Sequence, residues 1–281
     1  MSFGKTLLIG VFTYLAAIIL LVTLGLSAFT EIRQTELNWA VYTGYVFSSE
    51  MVLLIFYLFI IGFIIDFIKE VDKKFGPGNL WKMIKGEFYH PKEENRIFMF
   101  LDLKSSTTIA EKLGHQKYSQ FIQRCFQDVS DLVVEYQATI YQYVGDEIVL
   151  TWTIEDGLSR MNCIRFYFAY RDFLRTKKDY YESRFGLVPE FKAGLEMGRV
   201  MVAEVGEIKR EIAYHGDVLN TAARIQGCCN EFGKGILISE NLEKSIEGLS
   251  ADNIELMGDI QLKGKNKHVR IFAINEKAEV A

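Results

Sequence analysis

The stretch that decides the fold reads IFMFLDLKSSTT, from Ile97 to Thr108. Its first part, Ile97 to Leu103, is an apolar run of the length typical of a buried strand, with Asp102 near its end. Hydroxyl residues follow, and Thr108 with Glu111 matches the capping box that opens many helices. The stretch therefore predicts a buried strand that ends beside a carboxylate and leads into a helix.

The elements that follow alternate between helices and strands. One long helix is predicted up to Tyr136, with an apolar face that repeats at the helical period. Residues 139–144 and 148–153 read as two strands of a hairpin, with Gly145-Asp146-Glu147 at its tip. Residues 191–195 and 199–205 read as a further strand pair.

Two acids in this pattern suggest a metal site. Asp102 at a strand end and Asp146 at a hairpin turn can lie side by side if their strands pair. Mg²⁺ prefers a few carboxylates together with phosphate oxygens of a substrate, and the helix start after Asp102 suits a triphosphate. An aspartate before a helix start is also common for structural reasons alone, so this pattern does not decide the function.

A second polar constellation lies in YHGDVLNTAAR, residues 214–224. Asn220 and Arg224 are four residues apart on a predicted helix and therefore share one face. Taken alone, Asn220 could be a helix cap and Arg224 a partner in a surface ion pair.

Four motifs together resemble the catalytic domain of class III nucleotidyl cyclases. They are FLDL (residues 100–103) before Thr107, YVGD (143–146), GDVLNTAAR (216–224) and LKGK (262–265), and they occur in that family's order and spacing. The resemblance covers about residues 96–275. It implies a ferredoxin-like α+β domain that forms a head-to-tail homodimer with two active sites at the interface.

The resemblance also implies a reaction and the residues that perform it. The ribose 3′-hydroxyl attacks the α-phosphate, releasing pyrophosphate and a 3′,5′-cyclic nucleotide, with two Mg²⁺ or Mn²⁺ ions per active site. Electrostatic stabilisation and positioning dominate such phosphoryl transfer. By motif matching, the metal ligands are the carboxylates of Asp102 and Asp146 and the carbonyl of Leu103. The residues expected to bind or stabilise the nucleotide are Ser105, Ser106, Thr107, Asn220, Arg224 and Lys263, with Lys265 as a neighbouring candidate; Asn220 and Arg224 come from the other protomer.

The positions that select the purine depart from the family's pattern. They match Gln142 and Ala213, where the family usually has Lys with Asp or Thr for adenine and Glu with Cys for guanine. The Gln side chain can donate and accept hydrogen bonds, whereas the Ala side chain can do neither, so this pair does not identify the base. ATP is the expected substrate and GTP the alternative. His215 beside the site is interpreted as core filling, with a wall of the base pocket as the other possibility.

Two other functions are compatible with parts of the sequence. VGDEI, residues 144–148, is similar to the hairpin of diguanylate cyclases, but its first glycine is missing and that family would not supply Asn220, Arg224 and Lys263. A catalytically silent nucleotide-binding module is the second alternative. Such modules normally lose a metal aspartate or the arginine, and both types of residue are present.

The first 65 residues indicate a membrane anchor. They carry only five charged side chains, Lys5, Glu31, Arg33, Glu36 and Glu50, in a chain of 281 residues that is 49% hydrophobic. Spanning helices are predicted at about residues 6–30 and 45–65. A signal peptide is the competing interpretation of the first, but its apolar run is too long. Glu50 is expected either to reach the lipid headgroups or to act as a contact or sensor between the spans.

A basic flank follows the second span and sets the expected orientation. Its lysines are Lys69, Lys73, Lys74, Lys82 and Lys85. Lysines favour the cytoplasmic side, so we expect a multi-pass protein of the cell membrane with both termini and the catalytic domain in the cytoplasm. Residues 66–92 are either a spacer or a helical coupler, residues 93–275 the catalytic domain, and residues 276–281 a tail.

The overall charge and the cysteines exclude other classes. A net charge of −4 argues against nucleic acid as a partner. The four cysteines show neither the spacing of a metal cluster nor the density of a secreted disulfide scaffold. The partners that remain are a nucleotide, the membrane and a second copy of the chain.

Overall fold

The structure is a computed structural model that describes residues 3–33, 39–76, 78–261 and 268–275. The chain divides into two compact units, residues 1–85 and residues 86–281. Each unit is described by itself.

The first unit is helical. Its elements are α1 (Phe3–Arg33), α2 (Trp39–Val46), α3 (Ser49–Phe75) and α4 (Asn79–Ile84). Residues 4–31 of α1 and the whole of α3 are long and apolar enough to cross a membrane. α3 begins later than the predicted residue 45, because the Ser48 hydroxyl accepts a hydrogen bond of 3.3 Å from the Met51 N–H and caps the helix there.

Close contacts join α1 to α3. Gly62 on α3 lies against the ring of Tyr14 on α1, where an added Cβ would come within 2.9 Å of a ring carbon. The Tyr14 hydroxyl donates a hydrogen bond of 3.4 Å to Asp66, and Gly10 also faces Asp66. The two helices therefore run in opposite directions, since residues further along α1 meet residues further back along α3.

The end of α3 is set by glycine. The helix runs unbroken to Phe75 and stops at Gly76, which has φ +88. Gly78, with φ +78, takes the N-cap position of α4, and Asn79 is the first residue of that helix. The Asn79 amide donates a hydrogen bond of 2.9 Å to the Phe75 carbonyl, so it closes the end of α3.

The second unit is built around one sheet. Its strands are β1 (Lys92–Leu103), β2 (Thr139–Val144), β3 (Glu147–Thr153), β4 (Phe191–Val205), β5 (Glu211–His215), β6 (Ile236–Ser239), β7 (Ile254–Gln261) and β8 (His268–Ile274). Its helices are α5 (Ser106–Leu113), α6 (His115–Asp128), α7 (Ser130–Glu135), α8 (Ile154–Leu158), α9 (Asn162–Thr176), α10 (Lys178–Phe185), α11 (Asp217–Cys228) and α12 (Glu240–Glu243).

The sheet confirms the predicted α+β, ferredoxin-like fold. Its strand order is β2-β3-β1-β4-β6-β8-β7, and β5 pairs with β4. The first four strands are antiparallel neighbours and helices connect β1 to β2 and β3 to β4. This connectivity is the split β-α-β pattern of that fold.

The core lies between the sheet and the helices that connect these strands. Alternate residues of β1, namely Ile97, Met99 and Leu101, are fully buried in it, as side chains on one face of a strand should be. Phe121 on α6 and Phe166 on α9 are equally buried in the same cluster. A strand with such a core face is held firmly in register, which fixes where its last residues lie.

Three sequence predictions about this unit are wrong. The capping box is not formed, because α5 starts at Ser106 and is preceded by Ser105 in a left-handed conformation. The predicted long helix is three helices, α5, α6 and α7, and Gly114 with φ +72 ends the first of them. The predicted strand pair at residues 191–205 is one strand, since residues 196–198 pair with residues 96–98 of β1 without interruption.

Candidate active site

Asp102 lies at the end of β1 and is held by two neighbours. Lys192, its partner across the sheet on β4, approaches the carboxylate to 3.1 Å. The side-chain amide of Gln226, a buried residue of α11, donates a hydrogen bond of 3.0 Å to the same oxygen. Leu103, the last residue of β1, pairs with Phe191 on β4 and buries its side chain in the core.

Asp146 lies in the β2–β3 turn, which Gly145 closes with φ +62. The structure brings Asp146 close to Asp102. Burial raises the pKa of Asp102, Lys192 lowers that pKa, and the nearby Asp146 carboxylate raises it. One oxygen of Asp146 is buried and has no hydrogen-bond partner among the described residues.

Glu147 adds a third acid next to this pair. It is the partner of Asp102 in the β1–β3 register. Burial and then the charges of Asp102 and Asp146 raise the pKa of Glu147 to about 7. The site therefore concentrates negative charge, and a cation would relieve it.

The residues present fit a divalent cation that keeps part of its coordination for a substrate. A buried carboxylate oxygen without a partner is an open ligand position, and Mg²⁺ is commonly held by only one or two protein carboxylates plus phosphates and water. No group of three or more His, Cys, Asp or Glu side chains within the described ranges is arranged to hold a metal by itself. Substrate phosphates and water would supply the remaining ligands.

Ser105, Ser106 and Thr107 form the turn into α5, three to five residues after Asp102. Ser105 has φ +58 and makes no side-chain cap, while Ser105 and Thr107 are exposed. The first N–H groups of a helix have no partner within the helix. This end of α5 is therefore suited to a phosphate group next to the acid pair.

Gln142 lies on β2, which pairs with β3, and Ala213 lies on β5, which pairs with β4. The rings of Tyr141 and Tyr214, which adjoin them in sequence, meet edge to face with centroids 4.9 Å apart. Gln142 is exposed and Ala213 half-buried. His215 is exposed at the end of β5, so the interpretation of this histidine as core filling is wrong.

Asn220 and Arg224 both lie on α11, but this chain does not direct them to Asp102. The buried residues of α11 are Val218, Thr221, Ala222, Ile225 and Gln226. Asn220 and Arg224 occupy the opposite side of the helix, Asn220 exposed and Arg224 half-buried. Lys263 and Lys265 lie outside the described residues.

Sequence reasoning missed Lys192 and Gln226. The sequence does mark Lys192 as unusual, because it is the single charged residue in the apolar strand FKAGL, and this could have identified it. Gln226 reaches Asp102 because α11 packs directly on β4. At the contact, the backbone of Gln226 and Ala222 lies so close to Gly194 that a Cβ there would clash. Such a close approach of two backbones is a usual reason for glycine within a strand.

The comparison with protein families decides the identity of this domain. The model of the adenylate and guanylate cyclase catalytic domain matches residues 88–276. The chain belongs to this cyclase family. The predicted resemblance to class III nucleotidyl cyclases is thereby confirmed, and the matched range contains all the residues of the acid pair and its neighbours.

Two curated cyclases from Rhizobium meliloti (strain 1021) are similar in sequence. Adenylate cyclase 2 is 29% identical over 210 residues, covering 75% of this chain and 58% of the relative. Adenylate cyclase 1 is 24% identical over 181 residues, covering 63% of this chain and 27% of the relative. The chain thus spans less than two thirds of the length of either cyclase.

Solved cyclase structures share the fold. A bacterial light-regulated adenylyl cyclase superposes with a TM-score of 0.68 at 18% identity, covering 82% of this chain and 67% of that one. The adenylyl cyclase CyaB from P. aeruginosa gives a TM-score of 0.58 at 18% identity, covering 68% and 99%. The guanylyl cyclase Cya2 gives 0.55 at 20% identity, covering 68% and 98%.

Proposed function

We propose that this protein is a membrane-bound nucleotidyl cyclase that converts ATP to 3′,5′-cyclic AMP and pyrophosphate. The observation that carries the proposal is the juxtaposition of Asp102 with Asp146, one of whose oxygens is buried without a partner, next to the start of α5. Membership of the cyclase family supports the reaction type. The names of the Rhizobium relatives support ATP as the substrate.

The acid pair and the start of α5 would bind the reacting end of the nucleotide. Two divalent cations, when bound, would activate the ribose 3′-hydroxyl and neutralise the departing pyrophosphate. The carboxylates of Asp102 and Asp146 and the Leu103 carbonyl are their proposed ligands. Lys192 lowers the pKa of Asp102 and so partly offsets the effect of burial on this carboxylate. The turn of Ser105, Ser106 and Thr107 would bind the phosphates through backbone N–H groups.

The proposed active site needs a second copy of the chain. Asn220 would orient the ribose and Arg224 would stabilise charge in the transition state, both at the site of the other protomer. Their position on the side of α11 away from the sheet supports this arrangement. Exposed Tyr143 and Val144, on the hairpin that carries Asp146, supply apolar surface for such a homodimer. Lys263 is proposed to contact the terminal phosphates.

Membrane anchoring is the second part of the proposal. α1 and α3 would span the membrane, and the lysines that follow Asp66 would remain in the cytoplasm. With two spans, both chain ends and the catalytic unit would lie on that side of a cell membrane. Residues 66–92 would couple the spans to the catalytic domain at residues 93–275.

Product analysis tests the reaction. Membranes that contain the full chain are incubated with Mn²⁺ and either ATP or GTP, and the products are resolved by mass. We expect cyclic AMP from the unaltered chain and a loss of roughly a thousandfold or more with Asp102→Asn or Asp146→Asn, because several kcal/mol of transition-state stabilisation would disappear. Asp131→Asn, at an exposed position on α7, is the matched control.

Each other outcome points to a different function. Cyclic GMP as the main product would make the protein a guanylate cyclase. Cyclic di-GMP would indicate a diguanylate cyclase, and no product from either nucleotide would indicate a silent binding module. Turnover of either aspartate variant at the rate of the unaltered chain would contradict the metal-ligand assignment.

A further inference from the structure

We propose that residues 73–85, here termed the lysine-tryptophan segment, bind the headgroups of anionic lipids at the membrane surface. The segment reads KKFGPGNLWKMIK and contains four lysines and no acidic residue. It includes α4, where Trp81 is 61% exposed and Ile84 is 64% exposed. Large apolar side chains and lysines thus occur together on an accessible surface, the combination typical of interfacial segments.

The apolar and basic side chains of α4 are arranged in two adjacent rows. Trp81 and Ile84 are three residues apart and share one face, and Lys82 and Lys85 form the row beside it. Both lysines are exposed, and neither forms an ion pair with any other residue in the described part of the chain. Their charges are therefore available to an external anion.

The turn before α4 keeps it beside the end of α3. The Gly78 N–H donates a hydrogen bond of 3.4 Å back to the Asp72 carboxylate, and the Asn79 amide holds the Phe75 carbonyl. α3 still exposes Phe67 and Ile68 less than two turns above Asp72. A tryptophan and lysines at this level match the position of aromatic and basic residues at membrane surfaces.

The charge of the lysine-tryptophan segment favours a lipid surface over a second copy of the chain as its binding partner. Twofold pairing of the lysine-tryptophan segment with itself would bring two sets of lysines together without any acidic partner in the segment. An anionic lipid surface offers the opposite charge to the lysines and an apolar layer to Trp81. The inference rests on the proposed membrane placement of α3 but not on the cyclase reaction.

Fluorescence quenching of the full chain in vesicles tests the proposal without any measurement of activity. The vesicles contain brominated phosphatidylcholine, with or without added phosphatidylglycerol. The emission of Trp81 is obtained as the difference between the unaltered chain and Trp81→Phe, so that Trp39 and Trp152 cancel. We expect its quenched fraction to rise about twofold with the anionic lipid, because surface potential attracts each lysine.

Paired substitutions identify the charges that matter. Lys82→Gln with Lys85→Gln should abolish the rise, whereas Lys178→Gln with Lys244→Gln should preserve it. The control changes the same number of charges at lysines of comparable exposure that lie in the catalytic unit. Equal quenching with and without phosphatidylglycerol would overturn the proposal. If brominated lipid quenches Trp81 only after the protein is diluted, a second copy of the chain covers this surface instead.

Discussion

Gln226 on α11 donates a hydrogen bond of 3.0 Å to Asp102 on β1. The same helix carries Asn220 and Arg224 on its other side, which we propose to serve the second active site of a homodimer. In that arrangement, α11 would hold the acid of one site and present the polar residues of the other. A displacement of Asp102 would therefore change the positions of residues in both sites.

Loss of the Gln226 amide should weaken metal binding more than nucleotide binding. In Gln226→Leu we expect the Mg²⁺ concentration for half-maximal activity to rise about tenfold or more, as is typical when a group that orients a ligand is removed. The KM for ATP at saturating metal should change little. Gln120→Leu, at an exposed position on α6, serves as the control. An unchanged metal requirement in Gln226→Leu would limit this contact to a structural role.

Glu147 should make the metal-free protein less stable as the pH rises. Its pKa is about 7 in the folded chain against an ordinary value of 4.5, so the folded state binds more protons between these two values. The free energy of unfolding should consequently fall through this interval, and Glu147→Gln should flatten the dependence. Thermal unfolding in detergent with a chelator, measured at several pH values, checks this. Glu135→Gln is an exposed control, and identical slopes for Glu147→Gln and the unaltered chain would contradict the assignment.

The base pocket should discriminate only modestly between ATP and GTP. Gln142 and Ala213 offer no pattern that fits one purine alone, so Gln142→Lys together with Ala213→Asp should shift the ratio of turnover toward ATP. The ratio of kcat/KM values for the two nucleotides is the measurement. A double variant with the original ratio would show that other residues select the base.

Complementation between two inactive variants tests the shared active site. Asp102→Asn and Arg224→Ala homodimers should each be nearly inactive, the latter by about a thousandfold by analogy with other arginines in phosphoryl transfer. Co-expression with random pairing yields about half mixed dimers, each with one intact site of two, so roughly a quarter of normal activity should return. Activity no greater than the sum of the two separate variants would place the whole site within one chain.

Much of the fold follows from local sequence patterns. The hairpin around Gly145 and the buried strand before Asp102 are local features, and the structure contains both. The exception is β4, which is one strand where the sequence predicts two. Gly198 lies within it for a long-range reason, since a Cβ there would approach a methyl group of Val218 on α11 to 2.7 Å.

The residues that surround Asp102 and Asp146 are harder to predict from the sequence. Gln226 and Asp102 are separated by 124 residues, and no periodicity links positions that far apart. Lys192 meets Asp102 only through the register of β4 against β1. Contacts of this kind depend on tertiary packing, whereas the two acids themselves belong to recognisable motifs.

The unbroken course of α3 gives this helix a mechanical property. From Ser49 to Phe75 the helix has 27 residues and thus forms a stiff rod about 40 Å long. A change of about 10° in its inclination would displace the Phe75 end sideways by about 7 Å relative to Ser49, and inclination responds to bilayer thickness. Gly76, with φ +88, ends the helix at that point. If α3 spans the membrane as proposed, membrane thickness is a physical input that the helix would convert into lateral movement of its Phe75 end.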